Sequence, residues 1–285
     1  MAELLKGKEV VAAMKERLLQ QVNKLEEAGV HPQMAIVRCG ARPDDLSYEA
    51  GAIKRFSGLG IGLRVVELPQ DIDQPSFIRE LEKLNADDGI HGVLVFRPLP
   101  SQLDQGVIKY VLSPEKDMDA MNPDNLAKVF AADPSGYPPC TPEAVMELLS
   151  HFGVELSGKR VTIVGRSMVV GKPLSMMMLA KNATVTICHT RTQDLPARTR
   201  EADILVACAG KAKMISRDHV SPGQVVIDVG INVDENGKLC GDVDQAAVED
   251  VVARLTPVPG GVGTVTTSCL AQHVVRAAMK QAGLN

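Results

Sequence analysis

A tyrosine and a lysine stand close together in the first third of the chain, in the segment YEAGAIK from Tyr48 to Lys54. Such a pair can do acid–base chemistry if one helix presents both side chains on the same face. Residues four apart on a helix are offset by about 40°, whereas residues six apart are offset by about 240°. The residue four positions after Tyr48 is Ala52, and Lys54 comes six positions after it. The spacing therefore predicts that Lys54 points away from the face of Tyr48.

A second chemical signal is the segment VTIVGRSMVVGKP, which runs from an apolar strand through Gly165 and Gly171 into a helix. The free N–H groups at the start of a helix, together with the helix dipole, favour phosphate binding. The spacing differs from G-x-G-x-x-G, so a tight strand–helix turn without a ligand is the alternative interpretation.

The residues after the next apolar run bear on the choice between nicotinamide cofactors. An NAD-preferring site usually has Asp or Glu there to bond the ribose hydroxyls. This chain reads CHTRT, with Arg191 and no carboxylate, and Arg166 in the preceding turn could reach the same place. Two guanidinium groups suit a 2′-phosphate, so the pattern predicts NADP. The alternative is that each arginine is a solvated surface charge.

Helix-length and strand-like segments alternate along almost the whole chain. Apolar runs of the first series are QMAIVRC, LRVVELP and IHGVLVF, and those of the second are KRVTIVG, ATVTICH, ADILVACAG and QVVIDVG. This alternation predicts two α/β domains with parallel sheets, the second Rossmann-like. The proline-rich stretch at 131–145 separates the series. We expect one domain over residues 1–140 together with 266–285, and a dinucleotide-binding domain over 141–265.

The composition is that of a globular protein: the 285 residues are 45% hydrophobic and 23% charged, with a net charge of −4. The absence of a basic excess argues against a mainly nucleic-acid-binding role. No apolar run approaches membrane-spanning length, and the first ten residues lack the apolar stretch of a signal peptide. The six cysteines are scattered and predict buried free thiols in a reducing cytoplasm. We predict no metal site.

Eight segments resemble one family in their order and spacing, the methylenetetrahydrofolate dehydrogenase/methenyltetrahydrofolate cyclohydrolases, or FolD proteins. The resemblance spans essentially the whole chain. It implies two α/β domains with a folate cleft between them, NADP as cofactor, a tetrahydrofolate derivative as substrate, and a cytoplasmic homodimer. The matching segments are PEKDMD (114–119), PPCTPEAV (138–145), VGRSMVVGKP (164–173), ATVTICHTRT (183–192), ADILVACAG (202–210), VIDVGIN (226–232), GDVD (241–244) and TPVPGGVGTVT (256–266).

The resemblance also implies roles for individual residues. Tyr48 would stack on the aminobenzoate part of folate and Asp119 would bond the pterin ring, and both are predicted as catalytic and substrate-binding residues. Alone, Tyr48 would also fit a partly buried helix position and Asp119 a cap or turn. The loop PVPGGVG (257–263) would line the place where nicotinamide meets substrate. Its predicted substrate-binding residues are Pro259, Gly260 and Gly261, and the predicted cofactor-binding residues are Gly165, Arg166, Ser167, Gly171, Thr190, Arg191 and Ile231.

The chain departs from the family pattern at two linked positions. The family usually places a catalytic lysine four residues after the tyrosine, where this chain has Ala52. It also usually reads VQLPLP where this chain reads VFRPLP (95–100), so Phe96 replaces a glutamine that normally bonds the lysine. The joint loss indicates a rebuilt site, with separate drift as the alternative.

Two arginines are candidates to compensate for the lost lysine. Arg55 is seven residues after Tyr48, about 10 Å further along the helix axis, and is too weak an acid to shuttle protons. Arg97 replaces an apolar family position next to Phe96. We expect Arg97 at the surface, and the alternative is a positive charge for the glutamate tail of folate.

The two family reactions depend differently on the lysine. Hydride transfer from the one-carbon bridge depends mainly on positioning, whereas hydrolysis of the methenyl product needs a positioned acid/base, typically worth about 10²–10⁴-fold. We therefore predict NADP-dependent oxidation of 5,10-methylenetetrahydrofolate to 5,10-methenyltetrahydrofolate with weak or absent cyclohydrolase activity. The alternatives are a fully bifunctional enzyme with a substitute acid/base, a non-catalytic folate- or nucleotide-binding regulator, and a dehydrogenase of similar architecture acting on another small substrate.

Overall fold

The computed structural model describes residues 1–284, in which helices and short strands alternate. The helices are α1 (Gly7–Glu27), α2 (Pro43–Ser57), α3 (Gln74–Ala86), α4 (Gln105–Ile108), α5 (Pro123–Phe130), α6 (Cys140–His151), α7 (Gly171–Leu179), α8 (Leu195–Arg200), α9 (Gln245–Val248) and α10 (Thr266–Gln281), with 3₁₀ turns at Arg217–His219 and Val262–Thr264. The strands are β1 (Glu3–Leu4), β2 (Gln33–Cys39), β3 (Gly62–Leu68), β4 (Gly92–Val95), β5 (Arg160–Val164), β6 (Thr184–Cys188), β7 (Ile204–Ala207), β8 (Val225–Asp228), β9 (Asn232–Val233), β10 (Leu239–Cys240) and β11 (Arg254–Leu255).

The chain divides into two compact units, which are named here by their main sheets. The three-stranded unit comprises residues 13–140 and 267–284, and the six-stranded unit comprises residues 1–12 and 141–266. Each contains a parallel sheet with helices in the connections. The predicted fold class, a two-domain α/β protein with parallel sheets, is therefore confirmed.

The three-stranded unit has the strand order β3-β2-β4, with both pairings parallel. The central strand β2 is buried along almost its whole length, because it has a neighbour on each side and apolar residues on both faces. Helix α3 covers part of this sheet. Its N-cap Asp73 accepts a hydrogen bond from the Ser76 N–H at 2.7 Å, and the spacing of Phe77, Leu81 and Leu84 places three apolar side chains in the core.

The six-stranded unit has the strand order β1-β11-β8-β7-β5-β6, and every pairing in this sheet is parallel. The chain passes from β5 to β6 on one side and then to β7 on the other side of β5. This reversal is a topological switch point, and ligands of open α/β sheets bind beyond the carboxyl ends of the strands at such points. The loops after β5, β6 and β7 are therefore where a nucleotide site is expected.

Residues 1–12 are grouped differently from the sequence-based boundary, which assigned them to the same domain as residues 13–140. Strand β1 pairs in parallel with β11, with Glu3 opposite Arg254 and Leu4 opposite Leu255. The N–H of Gly7 also donates to the carbonyl of Gly260 at 2.9 Å. These backbone bonds attach the start of the chain to the edge of the six-stranded sheet, and the domain boundaries themselves stay a prediction.

None of the six cysteines forms a disulfide within residues 1–284, and five of these side chains are buried while Cys208 is half-buried. No helix within residues 1–284 combines the length and the apolar character needed to cross a membrane.

Candidate active site

The first group of predicted site residues lies in the three-stranded unit, around Tyr48 of α2. The ring of Tyr48 meets the ring of Phe96, which directly follows β4, with 5.6 Å between the centroids and 86° between the planes. This is the edge-to-face arrangement that aromatic pairs favour. The Tyr48 side chain is 36% exposed. Burial of its hydroxyl end raises the pKa, and the hydrogen bond with the Thr267 side chain opposes this. The hydroxyl therefore stays protonated at neutral pH.

The helix face one turn after Tyr48 is apolar. Ala52 is fully buried there, whereas Lys54 is exposed, as the spacing predicts. Arg55 is half-buried, and burial lowers the pKa of its guanidinium. Position 52 thus carries a methyl group against the protein interior.

Asp119 is held by two donors from distant parts of the same unit. The N–H of Cys140 donates to its Oδ1 at 2.8 Å, and Arg97 Nη2 donates to its Oδ2 at 3.3 Å. The two side chains of this ion pair are only 24% and 29% exposed. Arg97 was expected at the surface; its side chain is partly exposed, and its guanidinium is paired with Asp119.

The loop that carries Asp119 is built around a second aspartate, Asp117. Its buried carboxylate accepts hydrogen bonds from the N–H groups of Met121 at 3.0 Å and Asn122 at 2.8 Å, and from Asn125 Nδ2 at 3.2 Å. Burial raises the pKa of Asp117, and these bonds act in the opposite direction. The internal bonds fix the backbone on both sides of Asp119, so its side chain starts from a defined position.

The sequence analysis missed three contributors to this group: Thr267, the N–H of Cys140, and Asp117. The segments PEKDMD and PPCTPEAV contain two of them, but the pattern gave no sign that the N–H of Cys140 reaches Asp119. Thr267 lies far along the chain in α10, and nothing in its local sequence relates it to Tyr48.

The predicted phosphate turn lies in the six-stranded unit, between β5 and α7. Gly165 has φ 139°, and a Cβ there would meet the backbone of Cys208, the residue after β7. A Cβ on Gly171 would meet the carbonyl of Gly165. Both glycines are therefore required by close backbone approach. Ser167 caps the turn, since its Oγ accepts from the Val170 N–H at 3.0 Å. The helix that follows starts at Gly171, so the positive end of its dipole faces this loop, while the Lys172 N–H already donates to the carbonyl of Ser167 at 3.1 Å.

The two predicted arginines come from neighbouring loops. Strands β5 and β6 are adjacent and parallel, so Arg166 after β5 and Arg191 after β6 lie at the same edge of the sheet. Thr190 and both arginines are exposed. Within residues 1–284 neither guanidinium forms an ion pair, so both charges are available to an anion. A phosphate carried by a ligand in this turn is the kind of group they would bind.

Ile231 and the predicted residues of the Pro-Gly loop line one cavity of about 240 Å³ in the six-stranded unit. Pro259, Gly260 and Gly261 form one wall, and Asp228 and Ile231 form another. Gly260 has φ 106°, which favours glycine, and its carbonyl is held by Gly7. Ile231 is 67% exposed, which makes it an apolar surface available to a flat ligand.

Two buried aspartates hold the loops beside this cavity. Asp228 accepts from the N–H groups of Gly230 at 3.0 Å and of Asp242 and Val243 at 2.9 Å. Asp242 accepts from the three successive N–H groups of residues 209–211 and from Asn232 Nδ2. The loops after β7 and β8 are thereby fixed to one another. The aspartate that ends an apolar strand and the GDVD segment were the available sequence signals, but neither role was predicted.

The pKa of Asp228 gives a test of this network. Burial raises it from 3.8 to about 6, against the opposing effect of the three N–H bonds. Between these pKa values the folded protein keeps the proton that the unfolded chain has released. Asp228 should therefore contribute stability that falls by about 3 kcal/mol as the pH rises from about 4 to 6. The measurement is urea unfolding of the parent and Asp228→Asn across this range.

The difference in unfolding free energy between parent and variant should shrink as the pH rises. Asp250→Asn is the matched control, because the exposed Asp250 pairs with Arg217 and its pKa is lowered. A difference between the parent and Asp228→Asn that does not change with pH would contradict the raised pKa.

Comparison with known proteins agrees with this arrangement. Residues 5–119 match the family model of the tetrahydrofolate dehydrogenase/cyclohydrolase catalytic domain, and residues 139–282 match that of the NAD(P)-binding domain. The bifunctional protein FolD of Clostridioides difficile is 54% identical over 279 residues, which are 98% of this chain and 97% of that protein. The protein of the same name from Alkaliphilus oremlandii is 51% identical, with 99% of each chain covered.

Solved structures of this family have the same fold. The bifunctional FolD dehydrogenase/cyclohydrolase of Campylobacter jejuni superposes with a TM-score of 0.96 at 36% identity, covering 98% of this chain and 99% of that chain. The FolD protein of Trypanosoma brucei, solved with NADP cofactor and an inhibitor, gives a TM-score of 0.92 at 33% identity and 98% coverage of both chains. The chain therefore belongs to the tetrahydrofolate dehydrogenase/cyclohydrolase family of enzymes.

Proposed function

We propose that this chain oxidises 5,10-methylenetetrahydrofolate to 5,10-methenyltetrahydrofolate with NADP, and that its cyclohydrolase activity is weak or absent. Family membership supports the substrate. The observation that carries the second part is the edge-to-face contact of Phe96 with Tyr48 beside the fully buried Ala52. This contact puts hydrocarbon where the family's lysine and glutamine would stand.

The oxidation step does not require a protein side chain that donates or accepts a proton. When bound, NADP would accept a hydride from the one-carbon bridge. Tyr48 would stack against the aminobenzoate part of the substrate, and the carboxylate of Asp119 would accept hydrogen bonds from the pterin ring. The folate nitrogens stabilise the resulting cation, so orientation by these residues supplies the main catalytic contribution.

Hydrolysis of the methenyl product makes a different demand. Water must attack the bridge carbon and lose a proton. A proton must also be delivered to the nitrogen that leaves this carbon. A positioned group that exchanges protons near neutral pH typically contributes about 10²–10⁴-fold to such a step. Ala52 and Phe96 cannot exchange a proton. Burial raises the pKa of Tyr48, so its hydroxyl stays protonated near neutral pH and supplies neither a phenolate base nor an effective acid.

The residues of the six-stranded unit fit NADP as the cofactor. The tight glycine turn at the start of α7 suits a pyrophosphate. Within residues 1–284 the guanidinium groups of Arg166 and Arg191 form no ion pair and are offered to a 2′-phosphate. The four residues that directly follow β6, 189–192, include no carboxylate to bond the ribose of NAD. Gly165, Ser167, Gly171, Thr190 and Ile231 keep their predicted roles in holding the cofactor. On family grounds alone we also propose a cytoplasmic homodimer that serves one-carbon metabolism.

A fully bifunctional enzyme is the second candidate. The similar proteins from Clostridioides difficile and Alkaliphilus oremlandii carry bifunctional names. Arg55 supports this alternative, since its half-buried guanidinium has a lowered pKa and lies on the same helix as Tyr48. It would act as a fixed charge that orders a water, because a guanidinium keeps its proton at neutral pH.

The first test is turnover of the purified protein. We expect NADPH to form when methylenetetrahydrofolate and NADP are supplied together, and decay of methenyltetrahydrofolate to stay near its spontaneous rate. Absence of reduction with either nicotinamide cofactor would reject the dehydrogenase. Saturable folate binding without turnover would then favour a regulator, and activity on another compound in a substrate panel would favour a different dehydrogenase.

Replacing Arg166 and Arg191 together by alanine should weaken the use of NADP selectively. Loss of two charge-assisted bonds to a phosphate should raise the KM for NADP by at least about tenfold and the KM for NAD by less than about twofold. Arg217→Ala, which removes an exposed arginine of the same unit, is the control. Equal effects on both cofactors would remove the argument for a 2′-phosphate site.

The double variant Ala52→Lys with Phe96→Gln should gain cyclohydrolase activity over the parent, by up to about 10²-fold. It restores the amine one turn after Tyr48 together with its hydrogen-bond partner. Ala52→Lys alone should gain little, because an amine buried beside Phe96 is desolvated and unpaired. The assay follows the methenyltetrahydrofolate absorbance beside the dehydrogenase assay.

Ala52→Met with Phe96→Gln is the matched control, since it adds a similar volume without an amine. Overpacking at the fully buried Ala52 costs about 1–3 kcal/mol, so the thermal unfolding of each variant is measured first. Rapid hydrolysis by the unmodified protein would reject the proposal of a lost cyclohydrolase and would direct attention to Arg55, Lys54 or an ordered water.

A further inference from the structure

Arg97 is a charged residue at the candidate site whose role the family pattern does not supply. Its Nη2 donates to Asp119 Oδ2 at 3.3 Å, and 29% of its side chain is exposed. The family usually has an apolar residue at this position. An arginine can be buried to this degree only when its charge is compensated, and here Asp119 compensates it.

We propose that Arg97 is a positioning residue for substrate binding, which orients the Asp119 carboxylate toward the pterin ring. This inference rests on the proposed function, because that function assigns the pterin ring to Asp119. Arg97 acts through Asp119 and does not itself touch the reacting atoms.

The hydrogen-bond capacity of the carboxylate permits this arrangement. An ionised carboxylate has about four lone-pair positions, two on each oxygen. The Cys140 N–H uses one position on Oδ1, and Arg97 uses one on Oδ2. One position on each oxygen stays available, which matches the two adjacent N–H donors of a pterin edge. The two protein donors also prevent the carboxylate from rotating, so less conformational entropy is lost on binding.

The backbone of Arg97 is itself anchored. Its carbonyl accepts a hydrogen bond from Arg42 Nη2 at 3.2 Å. The guanidinium of Arg42 is fixed in turn by two bonds of 2.8 Å to the carboxylate of Asp45 on α2. The loop after β4 is thus tied to α2, which gives the Arg97 side chain a defined starting point for reaching Asp119.

The rival role for Arg97 is a contact with the glutamate tail of folate. The ion pair argues against it, because the guanidinium is already directed at the residue assigned to the opposite, pterin end of the ligand. The two roles predict different behaviour with a ligand that has no glutamate. Tetrahydropteroate keeps the pterin and aminobenzoate parts of tetrahydrofolate and lacks only that tail.

The experiment compares the parent with Arg97→Leu and Arg97→Lys by calorimetric binding of tetrahydrofolate and tetrahydropteroate. Arg97→Leu should raise the Kd of both ligands by about tenfold, in line with the loss of one charge-assisted hydrogen bond. Arg97→Lys should recover part of this loss. In the dehydrogenase assay the KM for the folate substrate should rise by a similar factor, while kcat should change by less than about twofold.

Arg64→Leu is the matched control, because it also removes an arginine–aspartate pair, Arg64 with Asp87, from the three-stranded unit. It should change neither Kd. In an Asp119→Asn background, Arg97→Leu should add less than about twofold, because a residue that acts through Asp119 is non-additive with it.

Three results would overturn the inference: unchanged Kd values in Arg97→Leu, a loss confined to the ligand with glutamate, or the full loss retained in the Asp119→Asn background. The binding measurements need no cofactor and no turnover. A parent protein that binds folate but reduces no cofactor would therefore reject the proposed function separately from the role of Arg97.

Discussion

Buried carboxylates that accept backbone N–H bonds hold the strand-end loops in each unit. A carboxylate removed from water without donors is strongly destabilising, so each such residue dictates the path of the chain around it. Asp117 fixes the loop before α5, and Asp228 and Asp242 fix the loops after β7 and β8. The glycines at 230 and 241 are needed because a Cβ at either would meet one of these carboxylates. Asp119 and Ile231 are displayed on loops that these bonds hold in place.

The fold could be predicted because its signals are local and repeated. Each apolar run separated by a helix-length segment is independent support for a parallel α/β sheet, and the glycine turn at Gly165 could be predicted from one continuous segment, VTIVGRSMVVGKP. Strand β1 could not be found this way. It has two residues, and its place in the sheet depends on backbone pairing with β11, about 250 residues away. No periodic pattern exists in a segment of that length.

A site residue could be predicted where its residue type and local spacing determine its role. It could not be predicted where the role depends on a contact with a residue far away in the sequence. The direction of Lys54 followed from helix geometry alone. The direction of the Arg97 side chain could not be predicted from the alternation of side chains along a strand, because β4 ends at Val95, two residues earlier. Its contact with Asp119 joins residues 22 apart and depends on how two loops fold. The hydrogen bond between Tyr48 and Thr267 could not be predicted for the same reason, because the two residues are far apart in the sequence.

Under the proposed function, the residues at positions 52, 96 and 97 differ from those that the resemblance implies in a way that is consistent with one electrostatic change. Removing only one partner of a buried lysine–glutamine pair would leave the other unsatisfied. Here Phe96 makes an edge-to-face contact with Tyr48, and Ala52 is a fully buried apolar residue. Oxidation leaves a positive charge on the one-carbon bridge of the folate. An ammonium beside that bridge would oppose the developing charge, so its loss is compatible with hydride transfer. The guanidinium of Arg97 supplies positive charge at Asp119 instead, where a carboxylate neutralises it. Under the proposed function, the positive charge therefore lies beside Asp119, which would bind the pterin ring, and not beside the reacting carbon.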